Sequence, residues 1–315
     1  MTRTLDGSEI LVYSAEVADA LANYQAVVAL ESTLITHGFA YPDNVNTALA
    51  MEDAIRAEGA VPATIAVLDG KITVGLSRQQ IEDLAAMDRA SVRKCSRRDL
   101  PLTVGLRQTG ATTVAGTMIV AHMAGLKVFA TGGIGGVHRG HPEDVSADLI
   151  ELGRTPVTVV CAGAKSILDL PLTLEVLETQ GVPVLGYGTD TLPAFYSRSS
   201  GLPIDQRVDS PAEVAAIVAA RDALGLQHGT LVAVPVPEAD ALPIEEAEQA
   251  IAQATREADE QGIHGKDVTP FVLARVLDLT GGRSKVANIA ALVNNARVGA
   301  QIAIAIAEAA KAERV

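Results

Sequence analysis

Residues 157–180 read VTVVCAGAKSILDLPLTLEVLETQ. The first five positions, Val157 to Cys161, form a short apolar, β-branched run of the kind that fills a strand buried on both faces. Small residues follow, and Leu168 to Gln180 then places apolar side chains at helical spacing. A buried strand feeding a helix is the repeating unit of a parallel sheet. The same alternation extends in both directions. Ala26 to Leu30, Thr64 to Leu68, Lys127 to Ala130, Val182 to Leu185 and Leu231 to Val234 read as buried strands. Val45 to Glu58, Arg78 to Met87, Ala111 to Ala124 and Pro211 to Leu224 have helical patterns, and Ile244 to Gln261, Pro270 to Leu279 and Arg283 to Ala312 make the last third mostly helical. Leu68-Asp69-Gly70-Lys71 puts an Asp-Gly turn between TIAV and KITVGL, a hairpin signal that makes the sheet mixed. The expected fold is therefore α/β, a three-layer α/β/α sandwich with a mixed, mostly parallel sheet. No Pro/Ser-rich linker, charge block or internal repeat divides the chain, so residues 1–315 are expected to form a single domain.

The chain of 315 residues carries 25 Lys and Arg against 38 Asp and Glu, a formal net charge of −13. That balance argues against a nucleic-acid partner, because affinity for a phosphate backbone comes from clustered cations. The absence of tryptophan also leaves little for base-stacking platforms. The two cysteines, Cys95 and Cys161, form no CxxC pair, so neither a disulfide framework nor a zinc ribbon is expected, and a reducing cytoplasm fits. Asp6 and Glu9 interrupt any secretory leader. No continuous apolar run reaches the roughly 18 residues of a membrane span, since Thr112 to Ala130 is broken by His122 and Lys127, so no membrane partner is expected.

In open α/β sheets ligands bind beyond the carboxyl ends of the strands, so those ends hold the candidate residues. The first strand ends at Glu31, a carboxylate placed for general acid/base work if partly buried and for mere capping if solvated. The KVFA strand ends in TGGIGGVHRG, Thr131 to Gly140, whose four glycines between 132 and 136 allow backbone N–H groups to approach an anion closely. His138 occupies the place of the third glycine in GxGxxG, so dinucleotide binding is disfavoured. Beyond it, Ser146 is placed to open a helix, where free N–H groups suit phosphate. Asp144 and Asp148 either decorate that first turn or offer oxygen ligands to Mg²⁺ or Mn²⁺; His138 and His141 have no third spaced ligand for Zn²⁺. Lys165, among small residues just past a buried strand, is a candidate amine nucleophile, with a snorkelling lysine as the plain alternative. Lys94 stands in the only dense basic cluster, 91–98, and can neutralise a phosphate. Asn288 and Asn295 share one face of the last helix, and if that face is buried their amides need partners.

The stretches ALESTLITHG, KCSRRDLP, GATTVAGTM, TGGIGGVHRG, DVSADL, VVCAGAKSILDLP, GYGTDTLPAF, GKDVTPFVLARV and NIAALVNNA together resemble the pseudouridine-5'-phosphate glycosidases, the indigoidine synthase A-like family, in family order over nearly the whole chain. The resemblance implies a homotrimer that reversibly converts pseudouridine 5'-phosphate and water into uracil and ribose 5-phosphate. It implies Glu31 as proton donor, Lys165 as nucleophile and Asp144 as the ligand of Mn²⁺, one ion per subunit. It also implies that Lys94, Val114 and Ser146, Ala147 and Asp148 contact substrate and that Asn288 supplies an active-site amide. RGHPE, between His138 and Asp144, is shorter than the family's usual loop. The chemistry is coherent: a carbon-linked base offers no glycosidic oxygen to protonate, so an iminium at Lys165 would accept the bonding electrons when uracil leaves. A Schiff-base aldolase, a phosphosugar kinase and a non-catalytic sugar-phosphate sensor are the other classes; GYGTD around Asp190 lacks the sugar-kinase pattern.

Overall fold

The computed structural model describes residues 10–263 and 268–312. Fourteen strands are present among them: β1 Leu11–Tyr13, β2 Val27–Leu30, β3 Val61–Leu68, β4 Lys71–Val74, β5 Arg93–Cys95, β6 Gly110–Thr112, β7 Val128–Ala130, β8 Val137–His138, β9 His141–Val145, β10 Thr158–Cys161, β11 Leu168–Asp169, β12 Val184–Tyr187, β13 Gln206–Val208 and β14 Thr230–Ala233. Eleven of them form one sheet with the order β1-β4-β3-β2-β7-β10-β14-β12-β13, with β6 and β5 attached through β3. From β3 to β13 every pairing along this path is parallel. β4 and β6 run antiparallel to β3, so the sheet is mixed and mostly parallel, as expected.

The alternation of side chains along each strand builds the layers. Val27 and Ala29, Phe129, Val159 and Cys161, and Leu231 and Ala233 face one apolar cluster. Val28 and Leu30, Val128 and Ala130, Val160, and Val232 face the other. With a period of two and both faces covered, the strands must be apolar throughout, which is why they read as continuous runs. Helices Asp43–Ala57, Pro211–Ala223 and Arg283–Ala312 pack on the second face through Met51, Ile55, Val214, Val218, Leu292 and Ala296. Val114–Met123, Leu170–Thr179 and Ile244–Glu260 cover the first.

β3 belongs to two environments. Its first half, Val61 to Thr64, pairs with β2 in the parallel sheet. Its second half pairs with β4 through residues 65–68 and with β6 through Ala66 and Val67. The Asp-Gly hairpin is formed, with Asp69 at φ 50° and Gly70 at φ 79°, the left-handed pair that a two-residue turn of this type requires.

Several local expectations shift. Ala111 to Ala124 is not one helix: Gly110–Thr112 is a strand, Thr113 caps, and the helix begins at Val114. The region expected as a loop after Val137 is a hairpin, β8 and β9, closed by β11. Among the described residues one helix, Arg283–Ala312, is long and apolar enough to cross a membrane by length and composition, a feature that the search for continuous apolar runs did not single out. Its Asn, Lys and Arg residues interrupt any continuous run while leaving a high average. Half of its apolar window is buried. Gly299 lets it approach the sheet closely, since a Cβ there would lie 3.2 Å from Ala130 Cβ. The GKD opening of the GKDVTPFVLARV stretch lies outside the described residues.

Candidate active site

β2, β7 and β10 are parallel neighbours, so their carboxyl ends bring Glu31, Thr131 and the segment 162–165 to one edge of the sheet. The two loops after β7 and β10 remain zipped together beyond the strands. Thr131 N donates to Val160 O (3.0 Å), Ala162 N to Gly132 O (2.8 Å), Ile134 N to Gly163 O (3.1 Å) and Lys165 N to Ile134 O (3.1 Å). The glycine loop is therefore a continuation of the sheet rather than a free turn. Lys165 is half-buried on this ladder and does not start a helix; the next helix begins at Leu170 under an Asp169 cap.

Glu31 is half-buried and held by two hydroxyls. Thr131 Oγ1 donates to Oε1 at 2.5 Å, and Thr33 Oγ1 donates to Oε2. Thr131 is buried, and its carbonyl accepts from Asn295 Nδ2 at 2.8 Å. The face shared by Asn288 and Asn295 is thus turned to this loop: a Cβ on Gly132 would meet Asn288 Oδ1 at 3.3 Å. Asn295 Nδ2 thus finds its partner in the backbone, while its buried Oδ1 accepts no hydrogen bond among the described residues.

Gly133 and Gly135 lack side chains for different reasons. A Cβ on Gly133 would sit 2.7 Å from the Phe195 ring, which the GYGTDTLPAF segment lays over the loop, with Phe195 N donating to Ala162 O at 3.1 Å. A Cβ on Gly135 would lie 2.2 Å from Ser146 Oγ and 2.9 Å from Asp148 Oδ2. Asp148 is buried, and it accepts from Gly135 N at 2.8 Å and Ala115 N at 3.0 Å. Its carboxylate joins the glycine loop to the start of the Val114–Met123 helix, a positioning task that the sequence did not reveal. Ser146 caps the Ala147–Leu152 helix as expected, its Oγ accepting from Asp148 N at 3.2 Å, while Ala147 is exposed. Val114 is buried at the first position of its helix, where Thr113 caps.

Lys94 arrives from β5, well away in sequence, and keeps solvent-accessible surface. Its ammonium is nevertheless crowded. Desolvation lowers its pKa first and the charge of Lys165 next, with Glu31 and Asp148 opposing and Arg89 adding repulsion. These groups therefore share one electrostatic neighbourhood. His37, in the π-helical turn Leu34–Gly38 that follows Glu31, belongs to it as well: burial, then Arg89 and Lys94, lower it to about 4. Neither His37 nor Arg89 was singled out by the sequence, although the position of His37 just after the β2 end was a usable signal. His138 lies in β8, paired with Leu168 and His141, and Arg139 is spent on structure, donating to Ser166 O and Leu168 O and pairing with Glu248.

Asp144 is exposed in β9. Among the described residues no three His, Cys, Asp or Glu side chains gather into a metal-binding group. A lone exposed carboxylate such as Asp144 can offer a single bond to a hard, hydrated divalent ion, and the described residues form no zinc cage. Cys161 is fully buried and its thiol is pushed up to about 12 by burial, so it is a core residue.

A carboxylate held by hydroxyls, an amine on a fixed backbone ladder and a second ammonium beside them can transfer protons, attack an electrophilic carbon and neutralise an anion. The family described as indigoidine synthase A like protein matches residues 16–305. The pseudouridine-5'-phosphate glycosidase of Paracoccus denitrificans is 56% identical over 300 residues, covering 95% of this chain and 99% of that one. The enzyme of the same name from Escherichia coli K12 is 54% identical over 297 residues, covering 94% and 95%. Among solved structures, the prealnumycin C-glycosynthase AlnA in complex with ribulose 5-phosphate superposes with a TM-score of 0.90 at 41% identity, covering 98% of this chain and all of that one. An indigoidine synthase A-like protein from Thermotoga maritima gives 0.86 at 32%, with the same coverage. On the near-complete match of sequence and fold, this chain belongs to the indigoidine synthase A like protein family.

Proposed function

We propose that the protein is a pseudouridine-5'-phosphate glycosidase, cleaving the carbon–carbon glycosidic bond to give uracil and ribose 5-phosphate. The observation that carries this reading is the placement of Glu31 and Lys165 past the carboxyl ends of β2 and β10, the two strands that flank β7, within a chain 56% identical to a glycosidase of that name. The ribose ring opens as the C1′–O4′ bond breaks, O4′ takes a proton and the Lys165 nitrogen bonds to C1′. The nitrogen lone pair then forms the iminium while the C1′–C5 electrons leave with the base, and C5 takes a proton. Water hydrolyses the iminium, which releases ribose 5-phosphate and restores the amine. Glu31, oriented by Thr131 and Thr33, carries the proton transfers. Lys94 neutralises the anionic end of the substrate, and the glycine ladder from Thr131, with His138, Val114, Ser146, Ala147, Asp148 and Asn288, shapes the cavity around it.

Asp144 would hold a Mn²⁺ ion whose shell water completes, supplying positive charge near the substrate when bound. The reading extends to a homotrimer acting in the cytoplasm, with the oligomer measurable by sedimentation. Incubation with pseudouridine 5'-phosphate should release free uracil; no uracil under any metal condition would overturn the assignment. In the same assay chelation should abolish turnover and Mn²⁺ restore it, with Asp144→Ala needing far more metal than the wild type. The C-glycosynthase likeness favours one further reading, carbon–carbon bond formation on a phosphosugar. Accumulation of a C-glycoside from uracil and ribose 5-phosphate would measure how far the reaction runs that way.

A further inference from the structure

Three short segments that are distant in sequence carry Lys94, Val114 and Ser146 to Asp148. The first two are fastened where Thr113 N donates to Cys95 O at 3.0 Å and the hydroxyls of Ser96 and Thr113 lie 2.9 Å apart. The second and third are fastened by Asp148, whose Oδ1 accepts from Ala115 N at 3.0 Å. The remaining side of the triangle is an ion pair. Arg97 Nε donates to Glu151 Oε2 at 2.8 Å and its Nη2 to Oε1 at 2.6 Å, a parallel fork, and Thr155 Oγ1 also donates to Oε1. Glu151 is 2% exposed on the six-residue helix Ala147–Leu152, while Arg97 keeps about half of its surface in solvent.

We infer that Arg97 and Glu151 are positioning residues for substrate binding: their ion pair fixes the segment bearing Lys94 against the helix that begins at Ser146, and so sets the width of the anion site. A buried carboxylate must be compensated, and here the only guanidinium bonded to it among the described residues comes from the other segment. The helix and the Lys94 segment cannot separate without stranding that charge. A two-bond fork also fixes orientation, which a single lysine contact would not. The inference rests on the proposed roles of Lys94 and Ser146 in holding phosphate.

The test uses the full-length protein with Arg97→Ala, Arg97→Lys and Glu151→Gln. With pseudouridine 5'-phosphate, Arg97→Ala should raise KM about 10-fold to 100-fold, the scale of a misplaced binding group, with kcat changed far less. Arg97→Lys should fall between Arg97→Ala and the wild type. Glu151→Gln combined with Arg97→Ala should be no worse than Arg97→Ala alone, because both remove one contact. An NMR titration of Lys94 needs no turnover and so separates this inference from the glycosidase assignment. In wild type it should titrate below the ordinary lysine range, and in Arg97→Ala it should move back towards it as the segment swings into solvent. A lowered melting temperature with unchanged KM and an unchanged Lys94 titration would make the pair merely structural and overturn the inference, whatever substrate the enzyme takes.

Discussion

Lys165 and Glu31 are distinguished by what holds them. Lys165 is fixed through its backbone, with its N–H bonded to Ile134 O at 3.1 Å, and on the proposed function its side chain is the nucleophile. Borohydride treatment in the presence of ribose 5-phosphate should therefore leave a reduced adduct on this residue, seen by peptide mass. Lys165→Arg should lose turnover entirely, because a guanidinium stays protonated and cannot attack. Glu31 is fixed through its carboxylate, between the hydroxyls of Thr33 and Thr131. Glu31→Gln keeps the shape and one accepting oxygen, with the other hydroxyl turned to accept from the amide, but removes the transferable proton, so kcat should fall about 100-fold or more while substrate binding stays near wild type. Undiminished kcat would reduce Glu31 to a strand-end carboxylate. Both positions were legible in the sequence, Glu31 directly after an apolar run and Lys165 three small residues past one. Their partners were less so: Thr131 was visible as the first residue of the glycine loop, but nothing local showed that its hydroxyl serves Glu31.

Among the elements, the Val114–Met123 helix is placed by the absence of a single side chain. A Cβ on Gly116 would lie 2.2 Å from the backbone oxygen of Cys95, which cannot rotate away. Gly116→Ala should destabilise the protein by about 1–3 kcal/mol, the usual range for forced overpacking, and should lower kcat/KM because the helix start next to Asp148 must shift. Gly105 is the control, since a Cβ there meets nothing within 4 Å. Gly105→Ala should leave the melting temperature unchanged or slightly raised, as it reduces the freedom of the unfolded chain. Equal losses at the two positions would show that backbone contact is not what Gly116 relieves. The helix itself was expected, but its first turn was placed three residues early, because Gly110–Thr112 is a strand too short to show a period of its own. β5, β8, β11 and β13 escaped notice for the same reason: strands of two or three residues exist only through the partner they pair with.

At the level of the whole molecule, a half-buried histidine and a buried carboxylate give stability an opposite dependence on pH. The His37 pKa is lowered from 6.5 to about 4 by burial, Arg89 and Lys94, so between those values the unfolded chain binds the extra proton and stability should fall as pH drops from 6.5 towards 4. Glu52, buried beneath the Thr64 hydroxyl that bonds it at 2.6 Å, has its pKa raised above 4.5 chiefly by desolvation. Here the native state holds the proton more tightly, and stability is lost as pH rises through the folded value. Denaturant melts across pH 4 to 8 should show His37→Gln flattening the loss of stability on the acid side and Glu52→Gln flattening the loss of stability as pH rises above 4.5. Unchanged slopes in both variants would contradict this account.

The layered α/β architecture, the hairpin at Asp69-Gly70 and the strand-end carboxylate and amine were all determined by local pattern. A strand covered on both faces has to be apolar at every position, a helix has to repeat its apolar face, and a two-residue turn has to admit positive φ, so each leaves a mark in adjacent residues. Tertiary structure alone decided that β3 is divided between two pairings, that Asp148 spends its oxygens on Gly135 and Ala115, and that Lys94 comes within the electrostatic reach of Lys165. Each of these depends on which distant backbone group or charge comes within a few ångströms. A hydrogen-bond donor or a cation looks the same in sequence whichever partner it finds.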